Sequence, residues 1–147
     1  MIRDAEPPDC EALSALAFAS KASWGYDDAF MEACRAELTI RPEDLRNARI
    51  RVVYEDQVLG FHGVQGDELA WLFVAPEAMG RGVGRALLTD ACTLARADGR
   101  ETIRVEADPL AASFYEHAGA RLVGEVSSAS VAGRVLPVYA IDLTSAP

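Results

Sequence analysis

Three glycines at alternate positions, Gly80, Gly82 and Gly84, follow the wholly apolar run from Leu69 to Ala75 and lead through Arg81, Val83 and Arg85 into Ala86-Leu-Leu88. An apolar run of that length suits a strand covered on both faces, and Pro76, with no N–H to give a ladder, ends its pairing. Glycine accepts the backbone conformations that turn several N–H groups towards one point, and a helix starting near Gly82 adds the positive end of its dipole. Such a turn is a receptor for phosphate oxygens. Related turns hold ATP and dinucleotides, and spacing separates the cases. Gly84 is followed by Arg85-Ala86, not by the Lys and Ser or Thr of a P-loop, and the two-residue steps between the glycines do not fit G-x-G-x-x-G. Glu106 does stand at about the right distance downstream for a ribose carboxylate. A nucleotide-binding domain is therefore the rival reading of these glycines.

The same run resembles the acyl-CoA signature of the GNAT superfamily of N-acetyltransferases, V-x-P-x-x-[QR]-G-x-G-x-[GA]. Val74, Pro76, Gly80, Gly82 and Gly84 match in order, and Met79 stands where that family has Gln or Arg. Asp108-Pro-Leu-Ala111, Ala112-Ser-Phe-Tyr115, Glu116-His-Ala-Gly119 resembles the family's later motif N-x-x-A-x-x-F-Y-x-x-x-G-F. Ala111, Phe114, Tyr115 and Gly119 are in register, while Asp108 replaces Asn and Ala120 replaces Phe.

The resemblance implies an acetyl-CoA-dependent N-acetyltransferase, with acetyl-CoA as co-substrate and an amine as acceptor. It implies that Leu72, Phe73 and Val74 pair their backbone groups with the pantetheine arm as an added strand pairs with an edge. A backbone N–H near Phe73 or Val74 would hold the developing oxyanion. Met79, Gly80, Arg81, Gly82, Val83, Gly84 and Arg85 would surround the pyrophosphate, at least one of the two arginines touching it. Asp108 would bond the CoA arm in place of Asn, or cap the helix that follows Pro109. Tyr115 is expected near the CoA sulfur as the acid for the leaving thiolate. Its neighbour Phe114 lies ~100° away around a helix, so that one ring enters the core and the other faces the cleft.

An attacking amine must lose its proton, and Glu68 is the expected base, with Glu106 or a water chain as the alternatives. Strand alternation puts Glu68 on the face of Ala70, Leu72 and Val74. Trp24 and Tyr26 could wall the acceptor pocket by stacking or cation–π contact, or serve as core and turn residues. Cys92 lies on an apolar helix face without an activating base nearby, which favours direct transfer in a ternary complex over an acyl-enzyme. His62 and His117 stand apart from any carboxylate or cysteine cluster in the sequence, so no metal is expected. The alternative within this reading is a non-catalytic acyl-CoA sensor.

These residues need a scaffold, and the sequence predicts one. Ile2 to Ala5 reads as a short strand, and Asp9 as the cap of a helix with Leu13, Leu16, Ala17 and Ser20 along it. Trp24-Gly25-Tyr26 ends it, and Asp27 caps a second helix striped by Phe30, Met31, Cys34 and Leu38. A loop around Pro42 leads to three strands, Ile50 to Glu55, Val58 to Gln65 and Glu68 to Val74, joined tightly enough for an antiparallel meander. Val83, Leu87, Leu88, Ala91, Leu94 and Ala95 trace one helical face ended by Gly99. Thr102 to Ala107 alternates as a strand, Pro109 opens a helix, and Arg121 to Val126 and Leu136 to Leu143 close the chain as strands. The expected fold is one α/β domain over residues 1 to 147, a mixed and mostly antiparallel sheet flanked by helices, splayed between its fourth and fifth strands as in the resembled family.

Composition bounds the rest. Half of the 147 residues are hydrophobic and a quarter are charged, proportions of a packed domain. A net charge of −9 opposes non-specific nucleic-acid binding and mildly favours a cationic amine acceptor. Three scattered cysteines, Cys10, Cys34 and Cys92, suggest reduced thiols in a cytoplasm, and no membrane association is expected. A homodimer through the terminal strands is what the family resemblance suggests.

Overall fold

A computed structural model describes residues 1–144. Its helices are α1 (Cys10–Ala22), α2 (Asp28–Cys34), α3 (Pro42–Asn47), α4 (Val83–Ala97) and α5 (Ala112–His117). Its strands are β1 (Ile2–Asp4), β2 (Arg49–Glu55), β3 (Gln57–Gln65), β4 (Glu68–Val74), β5 (Thr102–Glu106), β6 (Arg121–Ser127) and β7 (Val135–Asp142), with short 3₁₀ turns at Pro7–Asp9, Pro76–Ala78 and Pro109–Ala111. They form one sheet in the order β1-β2-β3-β4-β5-β7-β6. Every pairing is antiparallel except β4 with β5, which are parallel and meet at a single register position, Glu68 opposite Arg104. The Arg104 N–H donates to the Asp67 carbonyl at 2.8 Å. Beyond that rung the two strands part. The expected splay between the fourth and fifth strands is present.

Two helices clamp the divergent strands. α4 lies on the β3 face that carries Gly60 and His62: the missing side chain of Gly60 leaves room for Leu87 and Val83, where an added Cβ would lie 3.0 and 3.1 Å from their methyl carbons. α1 packs on β3 and β4 from the opposite face, burying Leu13, Leu16, Ala17 and Ser20 as its spacing predicts. One apolar cluster surrounds Leu13, Met31 and Phe61, a second surrounds Leu88, Ile103 and Tyr115, and Leu72 packs against both.

Three local features differ from the sequence reading. Asp9 does not cap α1 with its side chain. Its carboxylate accepts from the Glu6 N–H at 2.8 Å and pairs with Arg3 at 2.9 Å, tying down the preceding turn instead. The loop around Pro42 contains α3, which starts with Pro42 and receives a cap when Asp44 accepts from the Arg41 N–H at 2.8 Å. Six residues are too few to show a helical period, and only the proline and acidic cap announce it.

The third difference bears on the site. Opposite Gly63 is Trp71 and opposite Val64 is Leu69, so Ala70 is skipped in the β3–β4 register. This bulge breaks the alternation and places Glu68 on the face of Trp71 and Phe73, opposite the face expected for it. Gly63 is what lets Trp71 lie flat there, because a Cβ at that position would sit 2.5 Å from Trp71 Cε3. Gly63→Ala is expected to destabilise the fold by about 1–3 kcal/mol, read as a lower urea midpoint, with a displaced Trp71 reporting through tryptophan fluorescence.

Candidate active site

The ladder between β3 and β4 fixes which amide groups are free. The Ala75 N–H donates to the Leu59 carbonyl at 2.8 Å, so Ala75, Phe73 and Trp71 direct their backbone groups towards β3. Leu72 and Val74 direct theirs to the other side, where β5 has already diverged. The strand thus presents an unpaired edge at Leu72 and Val74, whereas the amide of Phe73 is engaged with Phe61.

Two cavities open on this gap. The larger, about 450 Å³, runs from Leu72, Phe73 and Val74 past Met79, Gly80 and Gly82 to Arg85, closed on the far side by Leu110 and Phe114. Gly80 and Gly82 hold φ of 79° and 81°, the left-handed region that glycine reaches without a Cβ clash, and Gly82 is the residue before α4. Gly84 allows α5 to approach, since a Cβ there would stand 3.3 Å from the Phe114 ring. Arg85 is exposed and has no ion-pair partner among the described residues, while Arg81 lies 3.9 Å from Glu55. An edge of free amides, a glycine turn at the head of a long helix and an unpaired arginine fit a chain ending in phosphates.

The smaller cavity, about 210 Å³, is lined by Lys21, Trp24, Glu37 and Leu38, by Glu68 and Trp71 of β4 and, across the gap, by Glu106 and Leu136. The two cavities share Trp24, Leu72, Phe73, Ala111 and Tyr115. Tyr115 is only 5% exposed, its ring set 5.1 Å from Phe114 and 6.2 Å from Tyr139. Its hydroxyl makes no hydrogen bond with a described residue, and burial pushes its pKa well above that of an ordinary phenol. Both aromatic side chains of the pair border the cleft, with Tyr115 the more deeply set.

Glu68, half-buried, has its pKa raised, first by desolvation and then by the neighbouring charge of Glu106, against a smaller opposing effect of Arg104. It therefore holds a proton more readily than a free carboxylate while still lining an open cavity. Cys92 lies outside both cavities and burial raises its pKa, so it offers no thiolate to either.

Asp108 caps the turn before α5 by accepting from the Leu110 N–H at 2.8 Å, and the same carboxylate gathers three other segments. It accepts from the Tyr26 hydroxyl at 2.8 Å and Arg134 Nη2 at 3.0 Å, and Lys21 Nζ stands 3.3 Å away. Desolvation opposes its charge, yet these hydrogen bonds and the lysine bring its pKa below the ordinary carboxylate value. Tyr26, expected at the acceptor wall, lines neither cavity. It stacks on Phe30 with centroids 4.0 Å apart, and burial with the bond to Asp108 pushes its pKa up to about 12. Trp24 does border the gap. Lys21 and Glu37 were not anticipated, although Lys21 continues the Leu13, Ala17, Ser20 stripe, where a lysine signals a buried partner.

His62 corrects another expectation, because a carboxylate does meet it. Its Nε2 lies 2.8 Å from Asp90, which also accepts from Arg51 Nε at 3.1 Å. Burial lowers the His62 pKa. Among the described residues there is no group of three or more His, Cys, Asp or Glu side chains arranged for a metal.

A parallel strand pair opened beside a glycine turn defines the class, and comparison with known proteins gives the family. Residues 46–119, half of the chain, match the Acetyltransferase (GNAT) domain. This chain belongs to that GNAT family. It is 32% identical over 75 residues to the peptidyl-lysine N-acetyltransferase YjaB of Salmonella typhimurium, a match covering 51% of this chain and 50% of that protein. The chain thus spans about half the length of this curated relative. Among solved structures, a GCN5-related N-acetyltransferase from Rhodopseudomonas palustris superimposes with a TM-score of 0.83 at 22% identity, covering 97% of this chain and 94% of the other. The yncA acetyltransferase of Salmonella typhimurium with its cofactor acetyl-CoA does so with a TM-score of 0.69 at 21% identity, covering 100% and 95%.

The Asp108 cluster yields a stability prediction. Because its folded pKa is depressed, its contribution is full above the unfolded carboxylate pKa of about 4 and is lost as pH falls through the lower folded value. Asp108→Ala is expected to cost about 3 kcal/mol at neutral pH by leaving two cations without their partner. In urea titrations that difference should shrink as the pH drops below about 4.

Proposed function

We propose that the protein transfers an acetyl group from acetyl-CoA to a cationic amine by direct attack in a ternary complex. The observation that carries this reading is the meeting of two cavities at Tyr115, one suited to a phosphate-bearing arm and one lined by glutamates. The pantetheine would lie along Leu72 and Val74, bonding the amides that β5 leaves free, and its pyrophosphate would rest on the Gly80 to Gly84 turn with Arg85 beside it. The acceptor would enter past Trp24 and Trp71. Glu68 takes a proton from the ammonium or its water, the amine attacks the thioester carbonyl, and the N–H of Val74 or Leu72 receives the oxyanion. Collapse of that intermediate breaks the C–S bond, Tyr115 gives its proton to the departing sulfur, and the surplus proton on the new amide nitrogen passes through water to the Tyr115 phenolate.

Each assignment has physical support. Glu68 lines the acceptor cavity and has a raised pKa, as a base working near neutral pH requires. Tyr115 keeps its proton throughout the working range, and among the described residues its hydroxyl has no acceptor to hold it away from a ligand. The three cysteines are free thiols, which suits a reducing cytoplasm, and among the described residues no helix is long and apolar enough to cross a membrane. A homodimer is proposed along β6, the terminal strand of the sheet, where Leu122 and Val123 are exposed.

The test is release of free CoA thiol from acetyl-CoA against a panel of amines. Binding of CoA without thiol release on any acceptor would identify a sensor instead. Tyr115→Phe is expected to keep the fold and lower turnover by about 10²-fold or more, and unchanged turnover would remove the acid role. Glu68 must be ionised to work, so kcat/KM should fall as pH drops through its raised pKa. Glu106→Gln, by removing a neighbouring negative charge, should move that acid limb to lower pH. A limb that stays in place counts against Glu68 as the base.

A further inference from the structure

The charges around the acceptor cavity are unequal in kind. Asp108 is matched by Lys21 and Arg134, both within ion-pair distance. Glu37, Glu68 and Glu106, lining the same space, form no ion pair with any described residue. All three line one cavity of about 210 Å³, and the pKa of Glu68, raised first by burial and then by the charge of Glu106, records the repulsion between the pair on β4 and β5. Proton removal needs one base. The other two, Glu37 and Glu106, are exposed and leave two further negative charges at the cavity open to a ligand.

They come from different walls. Glu68 and Glu106 stand on β4 and β5 beside the gap. Glu37 belongs to the segment after α2, held in place because the Trp71 indole N–H donates to its carbonyl at 3.4 Å and Ser130 donates to its side chain at 2.6 Å. Between the walls lie apolar and aromatic surfaces, Trp24, Leu38, Trp71, Leu72 and Leu136. Tyr115, 5% exposed and with a hydroxyl that has no hydrogen-bond partner among the described residues, borders the same space.

The geometry points to an acceptor with two positive charges joined by an unbranched apolar chain, a linear diamine or polyamine. One nitrogen reacts at the Glu68 and Tyr115 end, and the other ammonium is held by Glu37 at the mouth. The methylenes lie along the two tryptophans, whose faces also favour a cation. This inference rests on the transferase reading and narrows its acceptor. It separates a small diamine from a lone amine, which leaves Glu37 unanswered.

The experiment measures thiol release from acetyl-CoA with 1,5-diaminopentane, with pentylamine, and with a lysine-containing peptide. The diamine is expected to exceed pentylamine by at least tenfold in kcat/KM and to exceed the peptide. Glu37→Gln should cut the ratio of diamine to pentylamine at least fivefold through KM, with little change in kcat for the diamine. Comparable rates for diamine and pentylamine, or a ratio untouched by Glu37→Gln, would overturn the dicationic acceptor while leaving the acetyl transfer intact. A peptide preferred over both small amines would overturn it in favour of protein lysine. Failure of every acceptor to release thiol, with acetyl-CoA bound, would overturn the transferase reading and this one with it.

Discussion

The structure depends on one rung. β4 and β5 are parallel neighbours held where Arg104 donates to Asp67, and then they separate. A parallel pair buried in a sheet normally satisfies its backbone along its whole length, because an unpaired amide in a dry interior is costly. Here the amides of Leu72 and Val74 face the gap. The molecule tolerates this because the gap is open to both cavities, so those groups meet water or a ligand. The surrounding elements keep it open: α4 and α1 fix β4 from opposite faces, while β7 holds β5 on its far side by a full antiparallel ladder.

What borders the gap must be held by something other than the sheet, and Asp108 supplies the tie. One carboxylate joins the end of α1 through Lys21, the α1–α2 connection through Tyr26, the β6–β7 connection through Arg134 and the turn before α5 through Leu110. Segments far apart in the chain are brought to one point. A charge this enclosed is stable only with its partners in place, so the cluster acts as a unit. Its importance to the site is indirect: it sets where Trp24 and Tyr115 stand on either side of the cleft.

The sequence made the local features legible and left the assembled ones hidden. The apolar β4, the terminating Pro76, the glycines and the heptad-like face of α4 all announce themselves within a short window, and the structure brings Gly80, Gly82, Gly84 and Arg85 to one groove with Val74. Asp108 was readable as a cap, because capping is decided by the next few residues, but not as the partner of Arg134, which no local pattern connects to it. The bulge at Ala70 escaped for a similar reason. Alternation along β4 looks unbroken until the partner strand supplies Gly63 beneath Trp71, and that one skipped residue turns Glu68 to the other face. Tyr26 was expected at the acceptor wall on the strength of its ring, whereas its hydroxyl found an acceptor behind that wall. Glu37 carried no signal at all, since an isolated glutamate after a short helix is ordinary surface.

Five residues, Tyr115 among them, belong to both cavities. Two compartments with a common wall are not filled independently: a ligand that sets the rotamers of Trp24 or Phe73 in one alters the shape offered to the other. By thermodynamic linkage that influence is reciprocal, so whatever factor the first occupant adds to the affinity of the second, the second returns to the first. If the two cavities hold donor and acceptor as proposed, the wall between them is also the means by which each senses the other.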